Sequence, residues 1–139
     1  MVDINVMGVV HVTEVFSPLM SFKQRDGNTV NAVAIVGDLT LAHMSPYNAT
    51  MFAVIEYSEN VRQALECSNI KISVLCPAWL KRNVHSAQDG VLSLAQSDSE
   101  FTDSPFYPMY KQLIDNGMST EDFAALALPS YCCREIICL

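Results

Sequence analysis

The residue best equipped to move a proton is Tyr47, in the run Tyr47-Asn48-Ala49-Thr50-Met51. On a helix, residues four apart lie on one face, one turn apart. A free phenol titrates near pH 10, so about one in a thousand is ionised at pH 7. A cation four residues on would favour the phenolate and bring proton exchange toward neutral pH. That place holds Met51, which offers no charge and no hydrogen-bond donor. Tyr47 has the chemistry of a general acid/base without the neighbour that would tune it.

This run resembles the Tyr-x-x-x-Lys catalytic helix of the short-chain dehydrogenase/reductase family, with Met51 standing at the Lys position. The resemblance extends from about residue 2 to about residue 128. Asp3-Ile4-Asn5-Val6-Met7-Gly8-Val9 resembles the family's helix with a structural Asn, and Asn5 stands in its place. In the family that Asn bends the helix and holds a water of the proton relay. Thr29-Val30-Asn31-Ala32-Val33-Ala34-Ile35-Val36-Gly37 resembles the strand that delivers the catalytic Ser, here Ala34. Ile72-Ser73-Val74-Leu75-Cys76-Pro77-Ala78-Trp79 resembles the strand ending in Pro-Gly. Pro77 is kept, Ala78 replaces the Gly, and Arg82 stands where a Thr binds the nicotinamide amide.

The resemblance implies an oxidoreductase by descent that uses NAD or NADP. Of the Asn-Ser-Tyr-Lys set, Asn5 and Tyr47 remain, while Ala34 and Met51 are altered. The sequence contains no G-x-x-x-G-x-G turn of the kind that cradles a pyrophosphate at a helix N-terminus. The expectation is a segment matching roughly the second half of a family member. It would be catalytically impaired as it stands and would bind the cofactor poorly.

Composition excludes other classes. The formal charge of −7 argues against nucleic acid and anionic membranes. No run reaches the ~18 apolar residues of a spanning helix, and the start shows no secretory pattern, so the expected compartment is the cytosol. Cys67, Cys76, Cys132, Cys133 and Cys138 are odd in number and have no Cys-x-x-Cys spacing. They imply neither a disulfide framework nor a zinc site. His11, His43 and His85 are scattered, and no metal site is expected. Asn48-Ala49-Thr50 matches the glycosylation sequon but falls inside an expected helix, and reads as a chance match. Ile136 occupies the place a prenylation box gives to Cys.

The elements that must position these residues read as follows. Residues 3 to about 22 form a helix with Asp3 as N-cap. Val6, Val9, Val10, Val12, Val15, Phe16 and Leu19 cover more than one of its faces, which predicts burial on several sides. Arg25-Asp26-Gly27-Asn28 reads as a turn, and Val30 to Val36 as a buried parallel strand. Ser45 caps a second helix, with Pro46 in its first turn, that runs to about Cys67. Tyr47, Met51, Val54, Ser58, Val61 and Leu65 line one stripe of it. Ile70 to Cys76 is a strand ended by Pro77.

Residues 82 to 108 read as an exposed loop with a short helix near Ala87 to Gln96. Phe106, Tyr107 and Tyr110 are either packing aromatics or pocket lining. Ser119 caps a last helix with Asp122 at its third position.

The fold class is therefore α/β: a partial Rossmann-like, doubly wound parallel sheet, about one βαβ unit plus flanking helices. Residues 1–128 form the partial domain, and 129–139 form a tail that resembles no family element. The first strand would present an unpaired edge, and the two long helices broad apolar surfaces. Both predict self-association or association with a dehydrogenase partner.

Overall fold

The computed structural model of the chain describes residues 1–23, 26–37, 44–81, 105, 107–130 and 136–138. A π-helical turn, Asp3–Met7, leads into helix α1, Gly8–Phe22. Strand β1 is Gly27–Ala32, helix α2 is Ser45–Ala64, and strand β2 is Ile70–Cys76. Helices α3, Tyr107–Asp115, and α4, Thr120–Ser130, follow, and strand β3, Ile136–Cys138, closes the order.

The expected βαβ unit is present. β1 pairs parallel to β2, from Gly27 opposite Ile70 to Ala32 opposite Leu75. β2 supplies the core: Ile70, Ile72, Val74, Leu75 and Cys76 are all buried. Ile70, Ile72, Val74 and Cys76 share one pleat face, and Ser73 and Leu75 are buried on the other, which suits a central parallel strand. On α2, Met51, Val54 and Ser58 are buried, three of the six residues of the expected stripe. Tyr47, Val61 and Leu65 are half-buried. A buried polar tie crosses from β1 to α2: Asn31 Nδ2 donates to Ser58 Oγ at 2.8 Å, and Ser58 Oγ donates to the Val54 carbonyl at 2.6 Å.

Several boundaries differ from the sequence reading. Gly27 and Asn28 are the start of β1 rather than a turn, because Gly27 N–H donates to the Asn69 carbonyl and extends the ladder. A Cβ there would sit 2.6 Å from Met20 Sδ of α1, so any larger residue would make the Met20 side chain shift. The strand ends at Ala32, and Ile35–Gly37 closes into a 3₁₀ turn. Asp3 is not a cap; it lies in the first turn, where a carboxylate suits the helix dipole. Met44, not Ser45, precedes α2, with Pro46 in the first turn as expected. α2 ends at Ala64, short of Cys67. Ser119 does cap α4: Asp122 N–H donates to Ser119 Oγ at 3.0 Å, and Ser119 Oγ donates to Asp122 Oδ2 at 2.7 Å.

Past Leu128, α4 extends to Ser130, and Ile136–Cys138 adds a third parallel strand beside Val74–Cys76. The sheet order is β1-β2-β3, and no strand among the described residues pairs the outer edge of β1. A larger correction concerns α1, which is not buried on several sides. Its inward residues are polar, Thr13 and Ser17, while Val12, Val15, Phe16, Leu19 and Phe22 are exposed. Small side chains at i and i+4 let the helix lie close to its neighbours, and the apolar stripe is left facing out.

Candidate active site at the strand ends

Parallel strands bring their carboxyl ends to one side, and α2 starts on that side. The ladder continues past β1: Val33 N–H donates to the Leu75 carbonyl at 2.9 Å, and Ile35 N–H to the Pro77 carbonyl at 3.0 Å. Half-buried Ala34 lies between these two rungs. Its carbonyl accepts from Gly37 N–H at 2.8 Å and closes the 3₁₀ turn. The structure therefore places Ala34, Pro77 and the start of α2 at one end of the sheet.

α2 carries Tyr47 in its first turn, and Met51 lies one turn further. Met51 is only 6% exposed. A Cβ on Gly37 would lie 3.1 Å from Met51 Cβ and 2.7 Å from Ile55 Cδ1, so the 3₁₀ turn packs flush on this part of α2. Met51 belongs to that packed layer through its Cβ and backbone.

Asn5 reaches the same helix. The π-helical turn Asp3–Met7 is a single wide turn of the kind that often marks functional positions. From it Asn5 Nδ2 donates to Thr50 Oγ1 at 3.1 Å, and Thr50 Oγ1 donates to the Tyr47 carbonyl at 2.7 Å. Asn5 and Tyr47 are thus joined through Thr50. The sequence reading did not single out Thr50, although a hydroxyl three residues after the candidate acid, on the same turn, was the available signal.

Ala78 borders an apolar cleft of about 300 Å³ with Trp79, Leu80, Leu113, Met118 and Phe123, and with Asn116 and Gly117 completing the lining. A backbone latch holds its walls: Met118 N–H donates to the Trp79 carbonyl at 3.0 Å, and Lys81 N–H to the Met118 carbonyl at 2.9 Å. A Cβ on Gly117 would collide with the Trp79 carbonyl. Arg82, His43, His85, Phe106, Cys132, Cys133 and the expected helix near 87–96 lie outside the described residues, and Tyr107 is half-buried on α3.

Ionisable groups with shifted behaviour lie elsewhere. Burial pushes the Tyr57 phenol up, the Glu14 carboxylate adds to this, and the Thr13 hydroxyl pulls the other way. Arg62 is held more firmly protonated by its hydrogen bond and ion pair with Glu59. Among the described residues no group of three His, Cys, Asp or Glu side chains could hold a metal. No helix among them is long and apolar enough to cross a membrane.

The profile of the short chain dehydrogenase family matches residues 1–89, which is more than half of the chain and spans Asn5, Ala34, Tyr47, Met51 and Pro77. This chain belongs to the short chain dehydrogenase family. Within it, the chain is 33% identical over 86 residues to estradiol 17-beta-dehydrogenase 2 of Mus musculus, covering 62% of this chain and 22% of that protein. It is 32% identical over 75 residues to the mitochondrial D-beta-hydroxybutyrate dehydrogenase of Bos taurus, covering 54% of this chain and 21% of the relative. A short chain dehydrogenase/reductase from Burkholderia phymatum, solved in complex with NAD, superposes with a TM-score of 0.76 at 26% identity. That match covers 96% of this chain and 50% of the solved one. The dehydrogenase fold is therefore the Rossmann-like α/β fold that the sequence implied, and the chain spans about half the length of that solved relative.

Proposed function

We propose that this dehydrogenase-family chain is an oxidoreductase by descent whose own residues do not sustain nicotinamide-dependent turnover. The observation that carries the reading is Met51, buried against Gly37 at the position where the family has Lys. A nicotinamide ribose needs a hydrogen-bond donor there, and a thioether is at most a weak acceptor. Ala34 offers no hydroxyl to polarise a carbonyl. The Asn5 carboxamide spends a donor on Thr50. These residues do not fit NAD or NADP, and the 139 residues contain no Gly-rich phosphate turn.

Without the cation that would tune Tyr47, its general acid/base contribution, worth roughly 10²–10⁴ in rate, is forfeited. That loss is about 3–5 kcal/mol of barrier. Titrating the chain into NADH or NADPH and following nicotinamide fluorescence tests the reading. No saturable change is expected, and saturable quenching at micromolar concentration would overturn it.

A second reading, a non-catalytic module that associates with itself or with a full-length dehydrogenase, is favoured by α1. Val12, Val15, Phe16, Leu19 and Phe22 leave an apolar stripe in water. A stripe of this kind supports association. Light scattering on the purified chain tests this: a mass above that of the monomer is expected, and a stable monomer counts against it.

A further inference from the structure

Cys76 ends β2, and Cys138 ends β3. The parallel register makes these two residues Cα partners, in the last pair of the ladder after Val74 opposite Ile136 and Leu75 opposite Ile137. Neighbouring strands of a sheet lie about 4.7–4.9 Å apart. A disulfide joins Cα atoms about 4.4–6.8 Å apart, so the backbone brings the two positions within bonding range. Cys76 carries a reduced thiol and is 0% exposed. Sequence spacing hides the pair, because the chain passes through α3 and α4 before β3 returns to the side of β2.

We propose that Cys76 and Cys138 form a redox clamp, in which a small-molecule disulfide of the glutathione class oxidises the pair and the new bond fixes β3 to the central strand. β3 has three residues and lies at the edge of the sheet, and short edge elements of this kind open locally. With β3 open, the Cys138 thiolate attacks glutathione disulfide, one glutathione leaves as its thiolate, and a mixed disulfide remains on Cys138. Cys76 is the resolving thiol, since a wholly buried side chain has no room for that adduct. As β3 pairs again, the Cys76 sulfur displaces the second glutathione from Cys138. Two protein thiols become one S–S bond, and their two electrons and two protons convert glutathione disulfide into two molecules of glutathione. The bond closes the chain around α3 and α4, and Phe123 and Ala127 of α4 pack with Leu75 of β2. The clamp rests on neither functional reading.

Trypsin cuts after Lys and Arg, which separates the thiols into distinct peptides. Cys67 falls in 63–71, Cys76 in 72–81, Cys132 and Cys133 in 112–134, and Cys138 in 135–139. The experiment incubates the full chain with glutathione disulfide, alkylates it in denaturant and maps the peptides by mass. The expected product is peptide 72–81 joined to 135–139, lighter by two hydrogen atoms than the reduced pair, in a chain that runs as a monomer on a non-reducing gel. Dithiothreitol should release it. Amide exchange over Ile136–Cys138 should slow about tenfold or more in the oxidised chain.

Cys138→Ser leaves the buried Cys76 untouched, and it should abolish both the linked peptide and the slower exchange. Should that variant misfold, the peptide map of the unaltered chain decides alone. Recovery of 72–81 with its thiol alkylated, its linkage to 63–71 or 112–134, or a link formed only between two chains overturns the proposal.

Discussion

The Asn5 carboxamide lies 3.1 Å from the Thr50 hydroxyl, and this bond fixes the π-helical turn of residues 3–7 onto the first turns of α2. Thr50 donates in turn to the Tyr47 carbonyl at 2.7 Å. The Asn5 side chain is part of a tie between helices. The tie orders Tyr47 whether or not Tyr47 moves a proton.

Thr50→Val removes the acceptor and leaves a part-buried amide without its partner. An unmade hydrogen bond of this kind costs about 1–3 kcal/mol. The urea midpoint should fall accordingly, and Thr50→Ser, which keeps the hydroxyl, should restore most of it. Equal midpoints for the Val and Ser variants would show that the bond contributes nothing.

The Asn31–Ser58 pair calls for a double-mutant cycle. Ser58→Ala orphans a buried carboxamide and should lose about 1–3 kcal/mol. Asn31→Val in the same chain removes the orphan, so the double variant should be more stable than the sum of the singles predicts. Strict additivity would mean that the pair is not coupled.

Much of this architecture is legible in the sequence, for identifiable reasons. β2 is bounded by Pro77 and places Ile70, Ile72, Val74 and Cys76 on one face, and its limits follow directly. α2 opens with Pro46, and Met51, Val54 and Ser58 repeat at helical spacing. β1 is harder, because Gly27 reads as a turn until Met20 is known to lie over it. β3 has only three residues, too few to show a period. The orientation of α1 cannot be read at all: periodicity counts apolar residues but does not say which face meets the protein. Tyr47 and Met51 are visible as a motif, whereas Thr50 becomes meaningful only once Asn5 is seen to reach it.

That orientation supplies a test of association. Val54, on the second long helix, is a poor probe, since it is 1% exposed and a charge there would break the core. Phe16 is 52% exposed and on the outward stripe of α1. Phe16→Glu should leave the far-ultraviolet spectrum and the unfolding midpoint of the monomer close to those of the parent, and lower the mass measured by light scattering. An unchanged assembly would remove α1 from the interface.

Alkaline pH should act through Tyr57. Its phenol is raised by burial first and by Glu14 second, so the folded state holds the proton more tightly than the unfolded chain does. The resulting stability is present in full below the ordinary tyrosine range, near pH 10, and is lost as pH rises through the higher folded value. Tyr57→Phe cannot ionise and should show a smaller fall in urea midpoint between about pH 9 and 11. Identical falls in the two proteins would assign the alkaline loss to other groups.

Restoring the family's cation is the most direct test of what Met51 now does. Met51 is buried, and its Cβ and backbone face Gly37, which Ile55 also approaches. A lysine there must bury an ammonium, lose its proton, or push the 3₁₀ turn away. An unpaired buried charge destabilises by several kcal/mol unless the group neutralises. Met51→Lys should therefore lower the unfolding midpoint and expose the 35–37 turn to faster hydrogen exchange. Adding Ala34→Ser should give no turnover with NADH or NADPH, because the phosphate-binding turn is still not among these residues. Turnover by the double variant, or a Met51→Lys chain as stable as the parent, would mean that the packed layer around Gly37 still leaves room for the family's cation.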